Sequence, residues 1–359
     1  MSNNTIPVYE SKAGSGDDRR NWSRSFRCFA LLLIGTLGCV SAAAQCSVYV
    51  PTHKSNSVAV VDTSTDTVTA VIPVGIQPLA IAITPDGAFA YVTNSGWLLP
   101  NNDVSVISTA TNTVVATIPV GRFPVGVAIT PDGAFAYVVD SDSNDVSVIN
   151  TATSTVVSTI SVGTNPWGVA ITPNGAFAYV TNQASNTVSV INTATRTAVA
   201  TVPVGNNPVG LAITPDGAFA YIANYLSNSV SVISTATNTV VNTIAVGTTP
   251  ITVGITPNGS SAYVPNDGSN NVSVIDTAIR AVVSTIGVGA NPRGVAFSPP
   301  GGEYAFVSNR IPNSVSVIKT STNTVVATVQ GVALFPEAVA VTLKPAALMA
   351  SCYASNRIW

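Results

Sequence analysis

Charge is what this chain has least of: Asp, Glu, Lys and Arg make up 8% of its 359 residues, against roughly 25% in an ordinary soluble domain. A formal charge of -2 supplies no basic field for a nucleic-acid duplex. Disorder is excluded as well, because it needs low hydrophobicity with high charge and 46% of these residues are hydrophobic. Histidine occurs once, as His53, and beyond residue 44 the only glutamates are Glu303 and Glu337. A paired-histidine metal motif is therefore impossible, and neither a G-x-S-x-G elbow nor a phosphate-cradling glycine loop is present. Leu, Glu, Lys and Met do not recur at 3.6-residue spacing, which excludes helical repeats.

Basic residues are concentrated at the start. Arg19, Arg20, Arg24 and Arg27 precede an apolar run over residues 29–40, and Ala42 and Ala44 follow in A-x-A spacing. That is the layout of a signal peptide, residues 1–44, with export to the periplasm, the cell surface or the medium. The run is shorter than the roughly 20 residues of a membrane span. Of four cysteines, Cys28 and Cys39 would leave with the signal, while Cys46 and Cys352 would remain in a compartment that permits them to pair.

What the chain has in abundance is repetition. GAFAYV stands at residues 87–92, 133–138 and 175–180, and GAFAYI at 217–222. Pro124, Pro166, Pro208, Pro250 and Pro292 recur every 42 residues, with Pro78 before them and Pro336 after. The copy at residues 165–205, NPWGVAITPNGAFAYVTNQASNTVSVINTATRTAVATVPVG, divides into four β-branched runs. Its TPNG and TATR joints are turn chemistry, Pro fixing φ and Gly accepting φ > 0. Four strands in about 40–45 residues make the blade of a β-propeller.

Seven first-strand prolines and seven second-strand aromatics, from Tyr49 to Phe306, count seven blades. The repeats begin on a second strand and end on a first, so residues 336–343 are expected to join the blade begun by residues 47–52 and close the ring. The expected fold is all-β, a seven-bladed propeller of four-stranded antiparallel blades over residues 45–345, with a tail at 346–359. A Cys46–Cys352 disulfide would staple that closure, unless the strand-like run from Cys352 to Asn356 competes for the same place.

YVTN at residues 91–94 and 179–182, with the variants YVVD, YIAN, YVPN and FVSN and the companions TPDG and VSVI, resembles the YVTN-repeat family. Those seven-bladed propellers occur in archaeal surface layers and in secreted bacterial proteins. The resemblance spans about residues 47–343 and implies the fold, while propellers as a class host binding, structural and enzymatic roles. Similarity to lactonase-type propellers would imply hydrolysis in the axial channel by inward-pointing acids or histidines. The expected innermost runs GVAI, GLAI and TVGI carry nothing to titrate. Haem- or quinone-bearing propellers would need an axial ligand or a repeated tryptophan motif. No cofactor and no catalysis are therefore expected.

In such blades the loops entering the first strands and those joining strands two and three share one face, and the TPDG and TATN turns share the other. The second face is uniform; the exceptions collect on the first. An insertion at residues 95–103 carries Trp97, and Arg122, Phe123, Asp140, Asp142 and Trp167 follow on the next two blades. Together they form a candidate binding patch with the Trp and Arg of interaction hot spots. A second candidate patch comprises His53, Lys54, Arg293 and Arg310, with Tyr225 and Glu337 on the same face. His53, in a loop beside Lys54, reads as solvated.

DSDSND at residues 140–145 sets Asp140, Asp142 and Asn144 at calcium-loop spacing but lacks the sixth-position Gly and twelfth-position Glu, so no metal is assigned. The functional expectation is an exported, non-catalytic propeller, a binding or cell-surface structural module whose partner is a protein, an envelope glycan or another copy of itself. A single-stranded nucleic-acid platform and a lactonase-like hydrolase are the alternative readings.

Overall fold

A computed structural model describes residues 46–96 and 102–343. The expected signal segment, Trp97 and Cys352, and with Cys352 the disulfide, lie outside the described residues. Among the described residues there are 28 strands and no helix. They form seven four-stranded antiparallel sheets, the seven-bladed ring that the repeat count implies. In the fourth blade the strands are Pro166–Ile171, Phe177–Asn182, Thr187–Asn192 and Thr197–Pro203, from the axis outward.

The two middle strands of each blade are buried on both faces, as in FAYVTN and TVSVIN, because blades stack sheet on sheet. Outermost strands such as TAVATVP are largely exposed. Each letter of the repeat has a structural task. The tyrosines are buried, and their hydroxyls reach the next blade: Tyr49 donates to Asn112 Oδ1 at 2.8 Å and Tyr179 to Asn238 Oδ1 at 2.7 Å. Thr181 Oγ1 accepts from the Gly168 N–H at 2.8 Å and donates to Val209 O at 2.5 Å, linking two innermost strands. Asn182 closes its blade by donating to Ser189 Oγ at 3.0 Å.

The abundance of Asn has a backbone cause. Left-handed φ values recur at fixed places in the repeat, as at Asn144 (φ 60), Asn165 (φ 52) and Asn186 (φ 55). Outside Gly, Asn tolerates this region best.

The ring closes as expected. Ala340–Leu343 pairs antiparallel with Cys46–Thr52, in register from Cys46 opposite Leu343 to Tyr49 opposite Ala340, and becomes the first strand of the first blade. The Glu337 N–H donates to Pro51 O at 2.9 Å and the His53 N–H to Phe335 O at 2.9 Å, extending the seam toward the loop face. Innermost strands of neighbouring blades touch all the way round. They approach so closely that a Cβ on Gly126 would lie 2.5 Å from Trp167 O.

Asp140 does not project from the loop face. It occupies the closing-Asn place of the YVTN pattern, fully buried, and accepts from Ser147 Oγ at 2.6 Å. Burial, with Asp145 nearby, pushes its carboxyl up to about 7. Asp142 is exposed and Asp140 is sequestered, so the calcium-loop spacing does not become a ligand set. No group of three or more His, Cys, Asp or Glu residues suited to a metal ion occurs among the described residues.

Candidate functional site: the mouth of the axial channel

The residue after each repeat proline stands at the channel mouth, one from each blade. Around the ring these are Glu337, Leu79, Val125, Trp167, Val209, Ile251 and Arg293, and all seven line one cavity of about 420 Å³. Five consecutive blades contribute apolar groups. The seventh and first blades, at the seam, contribute opposite charges. The expectation that the innermost strands hold nothing to titrate is thereby corrected: GVAI and GLAI describe the typical copies, while PRGVAF and PEAVAV bring Arg293 and Glu337 inward.

The charged wall is tightly connected. Arg310 donates from Nε to Glu337 Oε1 at 2.9 Å, and its Nη2 reaches the same oxygen. Arg293 Nε lies 3.4 Å from Asp267 Oδ1. Ser308 Oγ donates to Glu337 O and accepts from the Gly294 N–H at 2.9 Å, fixing the backbone behind the carboxylate. Glu337 is 7% exposed. Its burial pushes the carboxyl up, opposed by the Arg310 and Arg293 guanidiniums. Burial lowers Arg293, and the like charge of Arg310 lowers it further.

His53 completes this wall. It is half-buried and lines the cavity rather than facing solvent, because the seam loop that carries Phe335 folds back against it. Burial first, and then the positive charges of Arg310, Lys54 and Arg293, lower its pKa, so at neutral pH the imidazole is an uncharged base. Lys54 Nζ sits 4.0 Å from the Phe335 ring centroid and Arg310 Cζ 5.7 Å from it. Lys54, Arg293 and Arg310 outnumber Glu337 and Asp267 here, which leaves the wall net positive.

The opposite wall is built by Phe123 and Trp167, whose rings meet edge-on with centroids 6.3 Å apart at 66°. Phe123 and Trp167 of the first expected patch and His53, Arg293 and Arg310 of the second thus line facing sides of a single mouth, while Lys54 of the second patch stays exposed beside it. Arg122 and Asp142 stay outside it, exposed, with Arg122 Nη2 3.5 Å from Asp142 O. Glu337 and Asp267 are the partners absent from both expected patches. The signal for Glu337 was its place directly after a repeat proline.

The family model described as Lactonase, 7-bladed beta-propeller matches residues 48–159. That stretch includes His53 and Phe123, while Trp167, Arg293, Arg310 and Glu337 lie beyond it. The chain is also similar to the hydrazine synthase of Kuenenia stuttgartiensis, at 25% identity and a TM-score of 0.69 over 77% of this chain and 92% of that one. A functionally unknown protein from Desulfotomaculum acetoxidans aligns at 23% identity and a TM-score of 0.71, covering 83% of this chain and 99% of its own. Dihydro-heme d1 dehydrogenase NirN, in complex with DHE, aligns at 12% identity and a TM-score of 0.63 over 82% and 74%. The last two likenesses show the fold alone. No curated protein matches the chain. The lactonase-family match over residues 48–159, with the likeness to a hydrazine synthase beside it, overturns the expectation of a non-catalytic binding or surface module.

Proposed function

We propose that the chain is a hydrolase of small cyclic esters, acting at the charged wall of the channel mouth. One observation carries this reading: a neutral histidine, two arginines and a buried glutamate converge on one side of a cavity large enough for a small molecule. The lactonase-family match over residues 48–159 supports it.

Each group has a role that its environment fits. His53 takes a proton from water as the oxygen attacks the ester carbonyl carbon. Arg310 and Arg293 stabilise the negative charge that develops on the carbonyl oxygen. The ring C–O bond then breaks, the departing alkoxide takes the proton back from His53, and the new carboxylic acid gives up its own proton to solvent and leaves as a carboxylate. Glu337 does not touch the substrate in this scheme; it positions Arg310.

The test is hydrolysis of a panel of lactones by the full chain, followed by proton release. His53→Gln is expected to lower kcat by about 100-fold or more, and Glu337→Gln to lower it less. Unchanged turnover in His53→Gln, or no turnover of any lactone by the unsubstituted chain, would remove this reading.

A further inference from the structure

We infer that the mouth selects lactones and hydroxy acids bearing an apolar chain or ring, which lies on Phe123 and Trp167 while the ester or acid group meets Arg293 and Arg310. The assignment of reaction rests on the hydrolase reading; the assignment of binding preference does not.

The seven-residue ring at the mouth is divided rather than mixed. Leu79, Val125, Trp167, Val209 and Ile251 form an unbroken apolar arc facing the charged seam. Trp167 is the largest of them and stands where its neighbours on either side have Val125 and Val209.

Phe123 makes the second, independent argument. It precedes its repeat proline with φ 55, a left-handed conformation that is costly for a bulky side chain. Five of the other blades place Gln77, Asn165, Asn207, Thr249 or Asn291 there, at φ 52 to 54. An aromatic held in this conformation is turned toward Trp167 and lines the cavity. Phe335 is the other aromatic at this place, with φ 58, and it carries Lys54 and Arg310 over its ring on the charged side.

Chemistry then separates two classes of lactone. The arc and Phe123 present one side-chain hydroxyl, Thr252, and one indole N–H, Trp167, among their cavity-lining groups. A sugar lactone seated against it would bury more hydroxyls than these two side chains can satisfy, which discriminates against it. An alkyl or aromatic substituent loses nothing there and gains burial. The net positive seam selects an acid product at the other end.

The test is calorimetric titration of the full chain with 4-hydroxydecanoate, the opened form of γ-decalactone, and with gluconate. The hydroxydecanoate is expected to bind at least tenfold tighter. Trp167→Val and Phe123→Asn install residues that other copies carry at these places, so the blade accommodates them. Each is expected to weaken hydroxydecanoate at least fivefold, leave gluconate unchanged and preserve the cooperative melt. Equal affinity for the two acids, or an unchanged ratio in both variants, would overturn the inference. Hydrolysis rates for γ-decalactone and glucono-δ-lactone separate the two proposals. Faster opening of the sugar lactone defeats this one and leaves the hydrolase reading standing, whereas tight hydroxydecanoate binding with no lactone of the panel opened defeats that reading and sustains this one.

Discussion

Arg310 and Glu337 meet across the seam of the ring, the guanidinium Nε 2.9 Å from a carboxylate that the fold has taken out of water. The pair joins the second strand of the seventh blade to the loop that leads into the closing strand. Removing one partner leaves the other partly buried without its counter-charge, which typically costs about 3 kcal/mol. Glu337→Ala is therefore expected to lose about that much in urea denaturation, and Arg310→Met combined with Glu337→Met to lose less than the sum of the single changes. Strict additivity would show that the pair is not coupled.

Asp140 offers a pH-dependent test. Its folded carboxyl titrates near 7 rather than near 3.8 because burial disfavours the charge. The native state consequently holds the proton longer than the unfolded chain does. Stability from this group is complete below about pH 4, declines as the pH rises from 4 to 7, and stays reduced above. Asp140→Asn, which installs the residue of Asn94 and Asn182, is expected to stabilise by about 2 to 4 kcal/mol at pH 8 and by little at pH 4. Equal gains at both pH values would exclude ionisation as the cause.

Thr181 links adjacent innermost strands through both ends of its hydroxyl. Thr181→Val keeps the shape and leaves the Gly168 N–H and Val209 O without that partner, a loss of about 1 to 3 kcal/mol. A chemical melt in which the midpoint does not move would mean that water replaces the hydroxyl.

The fold was legible because its signals repeat. A 42-residue period, turn residues at constant offsets and one buried aromatic per copy specify seven blades, and the strand count at the two ends of the repeat region specifies the seam. The site was only half legible, for a geometric reason. Residues 53 and 335 are distant in sequence and become neighbours only when the ring shuts, so His53, which a linear reading left in solvent, is half-buried. The two patches looked separate because sequence order runs around the rim while the cavity spans its diameter. Asp140 misled in the opposite direction: its neighbours mimic a cation loop, yet its place in YVVD makes it a buried substitute for Asn.

His53 is translated near the beginning of the ring and Glu337 near its end, and the imidazole acquires its environment only after the last strand, Ala340–Leu343, has docked. A nascent chain that has finished the second to seventh blades already has nearly all of its core, yet its charged wall still lacks Glu337 and the seam loop that packs on His53. On the hydrolase reading, chemical competence at the mouth would arrive as a report of completion, switched on by the same few backbone bonds that make the circle whole, and a ring that springs at its seam would fall silent while most of its blades are still folded.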